Sequence, residues 1–173
     1  MTALFGGAFD PIHQGHLAII EEIRRLGYDR VVLVPSGNPP HKPMRTPFAH
    51  RVAMARLVAD DVSEIESGGG PSYSFDTLRQ FPEPRAFVIG ADAFAEIESW
   101  YRWRDVVLLT EFIVVSRPGH QYAVPAGARV RRLDSLSLDI SSSKIRAQLA
   151  RGEAPAELPG PVLKYIQQHG LYR

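Results

Sequence analysis

The residues best suited to chemistry stand near the amino terminus, where His13 and His16 lie three positions apart. A short apolar run precedes them and ends in two glycines at 6–7, which predicts a strand, a glycine turn and then a helix. Asp10 is the predicted N-cap of that helix, and Pro11 fits its first position, where a missing N–H costs nothing. Two imidazoles at a positive helix end favour an anion-binding site, and the glycines would let a phosphate approach the backbone.

Two alternatives to an anion site are open for this stretch. Each histidine alone is more often an ordinary surface residue, and a glycine pair before a helix is common. Two imidazoles at this spacing could also be a metal pair, although no obvious third ligand lies nearby in the sequence. The agreement of strand, turn, cap and histidines favours the anion site.

A second stretch with similar chemistry lies at 139–146. Three serines at 141–143 precede an amphipathic run, which predicts a helix N-cap. Their hydroxyl and N–H groups would lie at a second positive helix end. Arg146, three residues beyond Ser143, would point at the same anion. Helix capping alone would also explain the serines.

Three further features suit ligand binding, and each has a plain structural alternative. The segment 35–47 holds five prolines with Asn38 and Lys42 between them. It is either a stiff solvated loop or a rigid arm that places cations at the carboxyl edge of a sheet. Asp92 follows a buried run, where ribose and metal are usually met, but it could be a helix cap. Trp100 could stack on a heteroaromatic ring or pack in the core.

The elements that must position these residues follow from hydrophobic patterning. Continuous apolar runs predict strands buried on both faces, and the amphipathic stretches between them predict crossover helices and a parallel sheet. Strands are predicted at 2–5, 31–34, 62–66, 86–90, 112–115 and, as an edge, 129–133. Helices are predicted near 11–26, 47–59, 74–78 with Ser74 as a candidate cap, 142–152 and 162–169.

Composition bounds the class of protein. The 173 residues suit one domain with a real core, and 45% apolar with 23% charged residues is ordinary for a soluble protein. A net charge of +1 gives no bulk argument for nucleic-acid or membrane partners. The absence of cysteine excludes disulfides, thiolate metal ligands and a cysteine nucleophile. No apolar run approaches the ~20 residues of a membrane span, and Met1 leads straight into a strand, so we expect a cytoplasmic protein.

Together these stretches resemble bacterial nicotinate-nucleotide adenylyltransferases, a family of the nucleotidyltransferase superfamily. The likeness spans nearly the whole chain; its first and last motifs are superfamily-wide, and the middle four narrow the branch. The motifs are GGAFDPIHQGH at 6–16, PPHK at 39–42, PSYSFDTL at 71–78, GAD at 90–92, WYRW at 100–103 and ISSSKIR at 140–146. The resemblance implies one nucleotidyltransferase domain, residues 1–173, of α/β class. Its fold would be a Rossmann-like, doubly wound, mostly parallel sheet of five or six strands with helices on both faces.

The resemblance also implies an activity and its participants. The adenylyl group of ATP would pass to nicotinate mononucleotide, giving nicotinate adenine dinucleotide and pyrophosphate in NAD biosynthesis. Mg²⁺ would be the cofactor, held mainly by the ATP phosphates rather than by the chain.

By the same resemblance, two sets of residues bind the substrates, and His13, His16 and Arg146 act in catalysis. The ATP set comprises Gly6, Gly7, Phe9, His13, His16, Asp92, Arg117, Ile140, Ser142, Ser143 and Arg146. The mononucleotide set comprises Ala8, Asn38, Lys42, Ser74, Asp92, Trp100 and Tyr101. Ser74 departs from the family, which often has threonine there, so the hydroxyl is kept and a packing methyl is lost.

The chemistry of such a transfer explains which residue types are needed. The nucleophile is a phosphate that is already ionised at neutral pH, so no general base is required. The protein must supply positioning and positive potential, because two anions have to meet.

Two other functions stay open at this point, and the sequence does not decide whether the chain forms a homo-oligomer. One is another adenylyl- or cytidylyltransferase, for example one acting on phosphopantetheine, against which the aromatic cluster of Trp100 and Trp103 argues. The other is a regulatory module that binds ATP without turnover, which would not need His16 and Arg146 together.

Overall fold

The computed structural model describes residues 1–40, 43–81, 85–116, 119–134 and 139–173. Five strands form one parallel sheet in the order β2-β1-β3-β4-β5, which confirms the predicted parallel α/β architecture. The strands are β1 (Thr2–Gly7), β2 (Arg30–Pro35), β3 (Arg85–Gly90), β4 (Glu111–Val115) and β5 (Arg129–Leu133). Since β1 pairs with both β2 and β3, the carboxyl end of β1 lies between the carboxyl ends of these two strands.

Helices connect the strands and cover both faces of the sheet, as predicted. In the described ranges they are α1 (Gln14–Arg25), α2 (Phe48–Arg56), α3 (Ser74–Arg79), α4 (Ala91–Ala95), α5 (Trp103–Leu109), α6 (Ser142–Ala150) and α7 (Gly160–His169), with a 3₁₀ turn at Ile97–Ser99. None of the helices in this part of the chain is long and apolar enough to cross a membrane.

Each central strand divides its side chains between two hydrophobic cores, because successive residues of a strand point to opposite faces. In β1, Ala3 and Phe5 belong to the core that includes α1, α6 and α7, whereas Leu4 belongs to the core that includes α3 and α5. All three side chains are buried. A strand covered on both faces needs no polar alternation, which is why the central strands read as continuous apolar runs.

The amino end of α1 differs from the prediction. His13 is the N-cap of α1, so Asp10 is not the cap and Pro11 is not the first helical residue. The reason is tertiary: the Asp10 carboxylate accepts a hydrogen bond from the Tyr172 hydroxyl at 2.5 Å, and the Asp10 carbonyl accepts one from Arg146 at 2.7 Å. These contacts hold residues 10 and 11, which are joined by a cis peptide bond, in a turn that precedes the helix.

Two other local predictions are also wrong. The segment 62–66 is not a strand, because only Val62 meets β2, in a single bridge with Leu33, before the chain turns away. Ser74 is the first residue of α3 rather than its cap, a position that Tyr73 takes. The sheet therefore has five strands in the part of the chain that the structure describes.

Candidate active site

A cleft of about 730 Å³ opens at the carboxyl ends of β1, β3 and β4. The amino termini of α1 and α6 both border it, so two positive helix ends converge on one space. This edge is where parallel α/β sheets bind ligands. The predicted site residues that line the cleft are Ala8, Phe9, His13, His16, Asp92, Ile140, Ser142, Ser143 and Arg146.

His13 and His16 form a stacked pair at the start of α1. Their ring centroids lie 3.8 Å apart with the ring planes inclined by 25°. The backbone N–H of His13 donates to Nδ1 of His16 at 3.2 Å. A neutral imidazole whose Nδ1 accepts carries its proton on Nε2. His16 therefore offers an Nε2–H donor from the wall of the cleft.

Both histidines are neutral at pH 7. Burial lowers the pKa of His13 to about 4. Burial, and then the neighbouring His13, lower the pKa of His16 well below its ordinary value of 6.5. The pair can therefore serve an anion as hydrogen-bond donors at a helix amino terminus, rather than as two cations.

The first turn of α6 forms the second wall. The N-cap predicted from the three serines at 141–143 is Ser141, whose Oγ accepts a hydrogen bond from the Lys144 N–H at 3.2 Å. The Ser142 hydroxyl donates to the carbonyl of Pro11 at 3.1 Å. The start of α6 is thereby tied to the turn that leads into α1, which sets the spacing of the two helix ends.

Arg146 is the cation held at this junction. Its Nη1 donates to the Asp10 carbonyl at 2.7 Å, and its Nη2 donates to Oγ of Ser143 at 3.2 Å. These bonds leave the half-buried guanidinium in one orientation on the cleft wall. An oriented guanidinium is suited to phosphate oxygens.

Gly6 and Gly7 end β1 beneath aromatic rings. A Cβ added to Gly6 would lie 2.8 Å from the ring of Phe87, and one added to Gly7 would lie 3.1 Å from the ring of Phe9. The absence of side chains at these positions is therefore needed for packing, whatever approaches the backbone from the cleft.

The predicted mononucleotide residues outside the cleft lining are Asn38, Ser74, Trp100 and Tyr101. Of these, Asn38 and Tyr101 contact the start of α3, the helix that Ser74 begins. The carbonyl of Asn38 accepts from the Ser72 N–H at 3.0 Å, and the Asn38 N–H donates to Ser72 Oγ at 3.1 Å. The Tyr101 ring lies 4.8 Å from the Tyr73 ring, centroid to centroid. Both contacts reach the two residues before Ser74, so the structure brings Asn38 and Tyr101 close to Ser74, whereas Trp100 packs against the core that includes α3 and α5.

Lys42 and Arg117 lie outside the described residues. The sequence reasoning missed Ser116 and His120, which also line the cleft. Ser116 directly follows β4, and a polar residue just after a buried strand is the same signal that marks Asp92 after β3. His120 Nε2 lies 3.9 Å from Asp92 Oδ1, and nothing in the sequence pattern marks it.

The carboxylates of the cleft suit a cation that is carried by a ligand. Within the described ranges, no group of three His, Asp or Glu side chains could hold a metal ion. The Asp10 carboxylate accepts a hydrogen bond from the Tyr172 hydroxyl, whereas the Asp92 carboxylate is fully exposed. Mg²⁺ is commonly bound by one or two carboxylates together with substrate phosphates and water. This donor set fits a magnesium ion that arrives on a polyphosphate.

A doubly wound parallel sheet with helix amino termini over a cleft defines a nucleotide-binding α/β protein. The model of the cytidylyltransferase-like family matches residues 4–148. The chain is 49% identical over 184 residues to a Solibacter usitatus protein, with 98% of each chain covered. It is 41% identical over 192 residues to a Roseiflexus protein, covering 98% of this chain and 96% of the relative. Both carry the name "Probable nicotinate-nucleotide adenylyltransferase".

The fold is also that of a solved structure. Plasmodium falciparum nicotinic acid mononucleotide adenylyltransferase complexed with NaAD superposes with a TM-score of 0.82 at 22% identity, covering 99% of this chain and 96% of that one. The chain belongs to the cytidylyltransferase-like family of nucleotidyltransferases. Within that family it is one of the nicotinate-nucleotide adenylyltransferases.

Proposed function

We propose that this chain transfers the adenylyl group of ATP to nicotinate mononucleotide, with release of pyrophosphate. The observation that carries the proposal is the convergence of two helix amino termini, two imidazoles and Arg146 on one cleft. The same activity is predicted from the sequence motifs, and the names of the relatives confirm that prediction. A cytoplasmic location and the absence of nucleic-acid and membrane partners are further predictions.

ATP occupies the cleft between α1 and α6 in this proposal. A volume of about 730 Å³ lies within the range of ~300–1,000 Å³ that is usual for small-molecule sites. The polyphosphate meets His16 Nε2–H, the N–H groups at the start of α6 and the Arg146 guanidinium. The mononucleotide lies beside it, with its pyridine ring toward Trp100 and Ser74.

The reaction is a direct displacement at the α-phosphorus. An oxygen of the mononucleotide phosphate forms a new bond to this phosphorus, and the bond from phosphorus to the bridging oxygen of pyrophosphate breaks. The attacking oxygen is already anionic, so no side chain has to remove a proton. Neutral histidine donors and one fixed guanidinium stabilise the charge that develops on the phosphoryl oxygens. The exposed carboxylate of Asp92 would help to hold a Mg²⁺ ion bound with ATP, and that ion would supply positive charge to the departing pyrophosphate.

An acceptor panel tests the function. The protein is incubated with ATP and Mg²⁺, together with nicotinate mononucleotide, nicotinamide mononucleotide, phosphopantetheine or no acceptor, and pyrophosphate is measured. We expect release to be fastest with nicotinate mononucleotide. Faster release with phosphopantetheine would favour the other transferase. Binding of ATP without release in any mixture would favour the regulatory module.

A further inference from the structure

Arg51 is a charged side chain with no exposed surface, in the middle of α2. Arginine is rarely buried unless its donors are paired. Its Nη1 donates to the carbonyl of Ala8 at 2.9 Å and its Nε to the carbonyl of Thr46 at 3.1 Å, while Nη2 makes a longer contact of 3.5 Å with the carbonyl of Gly37. The guanidinium thus meets backbone carbonyls from three places in the chain.

These three carbonyls belong to two segments that border the candidate site. Ala8 begins the turn that carries His13 and lines the cleft. Gly37 and Thr46 stand near the two ends of the loop that connects β2 with α2. Arg51 therefore joins both ends of this loop to the turn that follows β1.

A second set of hydrogen bonds extends this connection to α3. Glu66 accepts from the backbone N–H of Gly37 at 2.9 Å and from the hydroxyl of Thr77 at 2.7 Å. A Cβ on Gly37 would lie 2.0 Å from the backbone oxygen of Glu66, so the two segments are in direct contact. Thr77 lies in the helix that Ser74 begins. A continuous polar chain thus leads from α3 through Glu66 and Gly37 to Arg51 and the turn at Ala8.

We propose that Arg51 is a positioning residue that holds the turn from Ala8 to His13 and the loop between β2 and α2 at a fixed separation. The inference rests on the proposed function, in which His16, just beyond that turn, meets the ATP phosphates and Asn38, in that loop, belongs to the predicted mononucleotide set. In-line attack needs the reacting atoms about 3–3.5 Å apart, and a misplacement of ~1 Å can cost ~10²-fold in rate. Loosening the link would change the separation of the two segments more than the structure of either one, so it should lower kcat more than it weakens the binding of either substrate.

Arg51→Lys tests this role, because lysine keeps the charge and loses the fork that reaches several carbonyls at once. We expect kcat to fall at least ~10-fold, with the dissociation constants of ATP and of nicotinate mononucleotide, each measured alone by calorimetry, within ~3-fold of the unmutated protein. Arg56→Lys is the matched control. Arg56 lies in the same helix, is exposed and pairs with Glu64, so its substitution should change neither quantity.

The results separate a positioning role from a structural one. Unchanged kcat in Arg51→Lys would overturn the proposal, and so would weaker binding of both substrates in proportion to a lower melting temperature. If Arg51→Lys does not fold, Thr77→Val is used instead, because it removes the hydrogen bond from Thr77 to Glu66 at the other end of the same hydrogen-bond network. This variant should lower kcat ~3-fold at unchanged affinities, and equal kcat would then overturn the proposal. Failure of the proposed function is distinct, because the unmutated protein would then release no pyrophosphate with nicotinate mononucleotide.

Discussion

Gly15→Ala should lower kcat without lowering the stability of the folded protein. Gly15 lies in the first turn of α1, and a Cβ there would meet Cε1 and Nδ1 of His13 at 3.0 Å and Cβ of Ile140 at 3.5 Å. The contact with Ile140 has an ordinary van der Waals length, but the contact with His13 requires the imidazole to shift by a few tenths of an ångström. The His13 ring also stacks on His16, so a shift of this ring should displace the proposed phosphate donor.

The size of the effect follows from this displacement. If ~1 Å of misplacement costs ~10²-fold, a few tenths of an ångström should cost roughly 5-fold in kcat. Replacing glycine by alanine in a helix also stabilises the folded state, by ~0.5–1 kcal/mol where the backbone permits it. The two consequences have opposite signs, which makes the prediction sharp.

Steady-state kinetics and thermal melting measure the two effects in one preparation. Gly68→Ala is the control, because Gly68 lies in a turn and a Cβ there would meet no atom within 4 Å beyond its chain neighbours. It should match or raise the melting temperature and leave kcat unchanged. Full activity in Gly15→Ala would refute the reasoning, since it would mean that the His13 ring position does not matter. A melting temperature well below that of the unmutated protein would show that the strain is not relieved by a small ring shift.

Three further predictions concern the histidines and the second substrate. His16→Ala should lower kcat by ~10²-fold or more with little change in ATP affinity, since one preorganised donor is lost; unchanged kcat with a raised KM would contradict this role. Because burial lowers the pKa of His13 to about 4, the unfolded chain binds more protons between pH 6.5 and 4. The free energy of unfolding from urea melts should therefore fall as pH falls through that window, and His13→Asn should reduce the slope; an equal slope would show that His13 titrates normally. Nicotinate mononucleotide should be preferred to the amide by ~10²-fold or more in kcat/KM, because donors near Ser74 suit a carboxylate. Ser74→Ala should narrow that preference, whereas Trp100→Ala should weaken both substrates alike, and equal use of acid and amide by the unmutated protein would contradict this view of the pocket.

The amino-acid sequence alone predicted the parallel α/β architecture and nine of the residues that line the cleft. Runs such as 86–90 and 112–115 predict central parallel strands because both of their faces are buried, and the structure has β3 and β4 there. Ser141 was predictable as a cap because its hydroxyl bonds an N–H three residues away, an interaction that needs no distant partner. His13 and His16 could be found from their spacing and from the glycine turn before them.

Long-range contacts account for what the sequence did not reveal. Asp10 is predicted to cap a helix, but its carboxylate accepts a hydrogen bond from the hydroxyl of Tyr172, 162 residues later in the chain. The helix begins after His13 instead. The neutral state of both imidazoles depends on burial, and burial depends on how the helices pack over the sheet. No sequence pattern marks Arg51, because its hydrogen bonds go to carbonyls of two segments that meet it only in the folded chain. Local propensities act over a few residues, whereas the protonation and separation of site groups are set by segments that meet only in the folded chain.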